Sequence, residues 1–194
     1  MLNTDKEYWN SKYIANQTGW DIGEVSTPIK EYIDQIDNKE VDILIPGCGN
    51  AWEGEYLTNQ GFGNAHLIDI SDEAISRFQR RVPYFPAHKI YNEDFFTHSK
   101  KYDLIIEQTF FSALHPTMRE DYAKQMHNLL KPNGKLVGLL FGIDLYEDHP
   151  PYGGNREEYL SLFSPYFNIK VLDMAHNSIK PRSGNELFLI LERK

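Results

Sequence analysis

An α/β domain with a mostly parallel sheet, closed at one edge by antiparallel pairing, is the architecture that the 194-residue sequence predicts. Three observations predict it. From residue 41 onward, short apolar runs rich in β-branched residues alternate with stretches of helical composition, the pattern of parallel strands joined by crossover helices. The first run ends in Pro46-Gly47-Cys48-Gly49, a glycine turn between a strand and a helix. The last two runs, 168–174 and 186–192, have no helix of useful length between them, which suits an antiparallel pair, since a parallel crossover needs a dozen or more residues and usually a helix.

Each element follows from its residues. VDILI at 41–45 reads as a buried strand. Gly47 and Gly49 then permit a sharp turn with positive φ and leave the backbone bare. Residues 51–59 are helix formers and stop at Gln60-Gly61. HLIDI at 66–70 is the second strand, and Ser71 followed by Asp72 and Glu73 suits the start of a helix through Arg81. Pro83 and Pro86 end it. HKIY at 88–91 is a short third strand leading into NEDFF, and YDLIIE at 102–107 is the fourth. A helix over 116–130 begins with Pro116 near its first position and stops at Lys131-Pro132-Asn133-Gly134, after which 135–141 forms the fifth strand. A polar loop rich in Pro and Gly, 144–155, precedes a helix near 156–163. No repeat or long linker divides the chain, so 1–194 is read as a single domain.

Composition narrows the function. Hydrophobic residues make up 41% and aromatics 13%, too rich for disorder. A formal net charge of −8 offers no basic stripe for a nucleic-acid backbone. No apolar stretch is long enough to span a membrane, and the polar N-terminus lacks a signal peptide. The lone Cys48 has no internal disulfide partner, which fits a reducing cytoplasm, and it reads as buried filler in a tight turn rather than as a nucleophile. The histidines show no ligand-pair spacing, so no metal site is predicted. A small-molecule partner is expected. The oligomeric state stays open, a monomer included.

The glycine turn opens a helix N-terminus, where backbone N–H groups favour an anionic or strongly polar ligand. The dinucleotide fingerprint requires a third glycine where this chain has Trp52, and a Walker loop requires G-K-[ST], which is absent. The second strand ends in Asp69, twenty positions after Gly49, where an acid can accept from ribose hydroxyls. That combination suits S-adenosylmethionine better than a dinucleotide. Gly47, Asp69, Asp94 and Gln108 all fall at C-terminal ends of strands, the rim where ligands bind on such sheets.

The strings ILIPGCG, LIDIS, NEDFF and LLKPNGKL resemble the motifs of class I S-adenosylmethionine-dependent methyltransferases. YWNSKYIANQTGWDIGEVSTPI, TFFSALHPTMREDYAKQM and DHPPYGG are more selective, and with them nearly the whole chain resembles the thiopurine S-methyltransferase family, in particular its plant halide/thiol methyltransferase branch. The resemblance implies a Rossmann-like seven-stranded sheet, with 1–40 forming an N-terminal lid and helix and 41–194 the core. It assigns cofactor contacts to Trp9, Tyr13 and Trp20 in the lid, the glycine turn with Gly47 and Gly49 to the methionine end, Asp69 to the ribose, and Asp94 and Phe95 to the adenine. Gln108 stands where the family has Arg or Tyr, so only neutral hydrogen bonds are on offer there. Tyr13 stands where the plant branch has Trp.

Plainer roles compete with several of these. Trp9 and Trp20 would also serve to anchor the N-terminal segment, and Asp94 to cap a helix. Phe110, Phe111, Tyr146 and Tyr152 suit an apolar acceptor pocket, with Phe111 and Tyr152 the named candidates, and core packing is the alternative for Phe110 and Phe111. No Ser-His-Asp or Cys-His constellation is present, and no catalytic residue is assigned. The expected reaction is methyl transfer to a soft nucleophile such as a thiol, thiopurine or halide. The alternatives are methylation of oxygen or nitrogen, with Asp144, His115 or His149 as base, and a cofactor-binding module without transfer activity, which the Gln108 departure favours.

Overall fold

A computed structural model describes residues 4–194 of the protein. Helices α1 (Lys6–Ile14) and α2 (Thr27–Asp34) precede the sheet. The core then runs β1 (Ile43–Pro46), α3 (Trp52–Asn59), β2 (Ala65–Ile68), α4 (Asp72–Arg81), β3 (Ile90–Tyr91), β4 (Tyr102–Gln108), α5 (Phe110–Ala113), α6 (Arg119–Leu129), β5 (Leu130–Phe141), α7 (Arg156–Phe163), β6 (Phe167–Met174) and β7 (Glu186–Arg193). The seven strands form one sheet in the order β3-β2-β1-β4-β5-β7-β6. Strands β1 to β5 are mutually parallel. Strand β7 runs antiparallel to both β5 and β6, so the antiparallel pairings lie at that edge of the sheet.

Alternation along the strands feeds two apolar layers, because successive side chains point to opposite faces. Ile43, Ile45, Leu104 and Ile106 pack with Ile29 and Ile33 of α2, Leu57 of α3 and Phe78 of α4. Leu44, Ile105, Leu136 and Leu140 face the other way, against Phe111, Tyr122, Met126, Tyr159 and Phe163 of α5 to α7. Phe78 is fully buried, and burying such a side chain stabilises by about 1.5–3 kcal/mol. Ser71 caps α4 as its sequence indicates: its Oγ accepts from the Ala74 N–H at 3.2 Å, a contact worth about 1 kcal/mol.

The fifth strand starts earlier than its composition indicates. Helix α6 ends at Leu129, and β5 opens at Leu130, which pairs with Tyr102. The register then shifts and resumes at Leu104 with Lys135. Pro132 has no N–H to give a ladder or a helix, and Asn133 takes φ 61, so Lys131 to Gly134 form an irregular bulge inside the strand rather than a stop before it. The helix expected over 116–130 begins as a 3-10 turn, Pro116–Met118, before α6 proper.

Candidate functional site

The site begins with the turn after β1. Gly47 and Gly49 both take φ +54, and a Cβ at Gly47 would stand 2.2 Å from the Phe110 ring, one at Gly49 2.6 Å from the Tyr13 hydroxyl. Glycine is required at both for conformation and for close approach. The Gly49 N–H donates to Asp69 Oδ2 at 2.8 Å and the Ser71 N–H to Asp69 Oδ1 at 2.8 Å, so the strand-end acid ties the glycine turn to the start of α4. Burial pushes the Asp69 carboxyl above the usual carboxylate range, opposed by the N–H groups of Ser71, Gly49 and Ile70.

The N-terminal segment lies across this rim. Asn10 Oδ1 accepts from Ser71 Oγ at 2.8 Å and from the Glu73 N–H at 3.2 Å, and Lys6 pairs with Asp72. Arg77 of α4 donates to the Tyr13 carbonyl and, at 3.0 Å, to Asn16 Oδ1. Trp20 meets Trp9 and Tyr13 edge to face, with centroids 5.5 and 5.9 Å apart. Arg182, in the 3-10 turn Lys180–Arg182 before β7, donates to the Trp20 carbonyl at 2.6 Å. Asp21 accepts from Trp52 Nε1 at 2.7 Å and from Asn50 Nδ2.

Between this segment and the sheet is a cavity of about 60 Å³, lined among others by Trp20, Gly47, Glu53, Gln108, Thr109 and Arg182. Gln108 Oε1 accepts from Ser26 Oγ at 2.8 Å, while its Nε2 is buried and finds no hydrogen-bond partner among the described residues. Thr109, a β-branched residue, takes φ 65. Such left-handed strain persists only where the surroundings over-determine it. Glu107 on the opposite face supplies part of that constraint: fully buried, it accepts from the Phe111 N–H at 2.9 Å and from the Tyr122 hydroxyl at 2.6 Å. Burial pushes its carboxyl up to about 7. Glu53, at the first turn of α3 and 6% exposed, is likewise pushed up to about 7 by burial.

The residues singled out from sequence thus fall into separate groups. Trp9, Tyr13, Trp20, Gly47, Gly49, Asp69 and Gln108 converge on one rim. Asp94 is exposed and caps the 3-10 turn Phe95–Thr97, its Oδ1 accepting from the Phe96 N–H at 2.9 Å. The Phe95 ring packs on Phe96, Phe110 and Tyr122, which turns it into the core. Phe111 is 1% exposed against Tyr122, Tyr159 and Phe163. Its ring is a core element rather than a pocket wall, and the neighbouring Phe110 is the ring that covers Gly47. Tyr152 is buried beside the His115 ring, its hydroxyl without a partner among the described residues. Sequence reasoning passed over Glu53, Arg182 and Asp21. Glu53 carried a signal, an acid in the first turn after a glycine loop, whereas Arg182 sits in a loop with no local pattern.

Among the described residues, no group of three or more His, Cys, Asp or Glu is arranged to hold a metal. Nor is any helix there long and apolar enough to cross a membrane.

Comparison with known proteins identifies the relatives and the fold. The probable thiol methyltransferase 2 of Arabidopsis thaliana is 31% identical over 187 residues, covering 92% of this chain and 81% of that protein. The thiopurine S-methyltransferase of Vibrio parahaemolyticus is 27% identical, covering 96% of this chain and 98% of its own. Among solved structures, the Burkholderia thailandensis 1,6-didemethyltoxoflavin-N1-methyltransferase with bound S-adenosylhomocysteine superposes with a TM-score of 0.77 at 14% identity, over 97% of this chain and 86% of that one. The magnesium protoporphyrin IX methyltransferase of Synechocystis gives 0.73 at 15% identity, over 97% of both chains. At such identities these structures speak for the fold alone. The sequence pattern of the thiopurine S-methyltransferase family matches residues 4–188, and the chain belongs to that family.

Proposed function

We propose that the protein transfers the methyl group of S-adenosylmethionine to a small soft nucleophile of the thiol class, in a reducing, cytoplasmic setting. That it is an S-adenosylmethionine-dependent methyltransferase follows from its family; the acceptor and the residue roles are our reading. The residues fit this cofactor. The glycine turn leaves bare backbone where a Cβ would clash, Gln108 Nε2 is a buried donor without a partner, and Asp69 retains lone pairs beyond the two N–H groups it accepts from. Asp69 would hold the ribose, Gly47, Gly49 and Gln108 the methionine end, and Trp9, Tyr13 and Trp20 the cover. Asp94 and the Phe95 backbone would meet the adenine.

When bound, the cofactor supplies a methyl group on a sulfonium, whose leaving group departs neutral. The chain therefore has no developing anion to stabilise, and its task is to align the groups and exclude water. The cavity of about 60 Å³ is far below the ~300 Å³ at which small-molecule sites begin. Entry consequently needs the segment before α2 to swing away, the behaviour of a lid. Its latches to the core are mostly hydrogen bonds and an ion pair, which suits repeated opening.

One observation carries the choice of acceptor: none of the three candidate bases is a free, buried base on this rim. Asp144 is exposed. His149 Nδ1 lies 2.8 Å from the Pro150 carbonyl. His115 Nδ1 is engaged by Thr117 Oγ1 at 2.9 Å. A thiol, with pKa about 8.5, ionises near neutral pH without such help. Incubation with labelled cofactor and a panel of thiols, thiopurines, iodide and catechols tests the reading; transfer confined to catechols or amines overturns it.

A further inference from the structure

The methionine end of S-adenosylmethionine is a zwitterion, so its seat must give the ammonium an acceptor and the carboxylate a donor. Most charged groups around the cavity are already engaged. Both oxygens of Asp21 accept hydrogen bonds, from Trp52 and Asn50. Arg182 pairs with Glu186 at 3.3 Å and donates to the Trp20 carbonyl. Asp69 accepts from Gly49 and Ser71, and Glu107 is held on the other face by Tyr122 and Phe111. Glu53 is different. It lines the cavity at 6% exposure, and among the described residues its carboxylate has no ion-pair partner, with its own backbone N–H beside it.

We propose that Glu53 is the acceptor for the α-ammonium of the cofactor's methionine end, with Gln108 Nε2 donating to the carboxylate. A buried carboxylate without an ion-pair partner is costly to keep, and an arriving ammonium removes that cost. The groups facing Glu53 agree. Asp21 from the lid opposes its ionisation, Arg182 before β7 and Arg81 of α4 favour it only in part, and Cys48 and Glu107 add no cation. With its carboxyl near 7 in the free protein, Glu53 is partly protonated at neutral pH, and a cation beside it favours its ionisation. The inference rests on S-adenosylmethionine as cofactor and is independent of the acceptor.

Calorimetry on the full chain tests it with two probes, S-adenosylhomocysteine and 5′-methylthioadenosine, which shares the nucleoside but lacks the amino-acid head. Glu53→Gln is expected to weaken S-adenosylhomocysteine about ten- to a hundredfold and to leave 5′-methylthioadenosine within about twofold. In wild type, affinity for S-adenosylhomocysteine should rise about tenfold from pH 6 to pH 8, as a group titrating near 7 ionises. Glu53→Gln should lose most of that slope. Equal losses for both probes, or no loss for S-adenosylhomocysteine, overturn the proposal. Should Glu53→Gln not fold, the wild-type pH series decides: an affinity that is flat or falls toward pH 8 refutes it. Wild-type protein that binds neither probe refutes the cofactor assignment itself, whereas binding of both without thiol methylation refutes only the acceptor.

Discussion

Replacing Asp69 by Asn probes the turn and the cofactor at once. The carboxylate has about four lone-pair sites, and the N–H groups of Gly49 and Ser71 each occupy one, on different oxygens, at 2.8 Å. The Ile70 N–H also points to this carboxyl, so one of the four sites is left clear for a ribose hydroxyl. Asn keeps a single oxygen, so its amide NH₂ must face one of the two N–H donors and leave it unsatisfied, at a cost of about 1–3 kcal/mol. Against that, a neutral side chain escapes the burial penalty that raises the Asp69 carboxyl. The net expectation is a loss of about 1 kcal/mol, or about 2–4 °C in Tm for a chain of this size. Affinity should fall further. Loss of a charged acceptor removes about 1.5–3 kcal/mol, roughly ten- to a hundredfold in Kd for S-adenosylhomocysteine. Scanning fluorimetry without ligand and calorimetry with it separate the two effects. Unchanged Kd refutes the ribose role, and unchanged Tm refutes the tie between Asp69 and the glycine turn.

Glu107→Gln should flatten the pH dependence of stability. A carboxyl raised from 4.5 to about 7 in the folded state costs nothing below pH 4.5 and about 3 kcal/mol once pH exceeds 7. Gln can keep both contacts, accepting from the Phe111 N–H and donating to Tyr122, so Tm measured from pH 5 to 8 should approach wild type at the acid end and exceed it by about 6–12 °C at pH 8; a deficit at every pH contradicts this. Protease nicking near Gln17, which is exposed, should slow when S-adenosylhomocysteine is added, and nicking indifferent to ligand argues against a lid. For a thiol acceptor, kcat/KM should rise with pH to an inflection that follows the pKa of each thiol tried. One fixed inflection across thiols, lost in Asp144→Asn or His115→Ala, would point to an enzymic base instead. Gly47→Ala places a Cβ 2.2 Å from the Phe110 ring at φ +54, so it should lower both Tm and cofactor affinity, and a neutral outcome would show that the turn need not be bare.

Much of this protein is written in local pattern. The alternation of ILI, HLI and YDLIIE with helical stretches, and the Ser71 cap, specify parallel strands and crossover helices, because side-chain period and capping act within a few residues. The places of Gly47, Gly49 and Asp69 on the rim are legible for the same reason: turn conformation and strand end are local properties, whereas Trp9, Tyr13 and Trp20 stand out through the family resemblance. Other features depend on what the chain brings together across long separations. Whether Phe110 or Phe111 meets the glycine turn turns on the left-handed Thr109 between Gln108 and the helix, and that strained residue is held by its surroundings rather than by propensity. Glu53 and Gln108 lie 55 positions apart in sequence, and Arg182 further still, yet they line one cavity. The unpaired carboxylate and the unpaired amide exist only as a relation between elements packed on a sheet, since burial and partnership are properties of the assembled chain that no window of sequence contains.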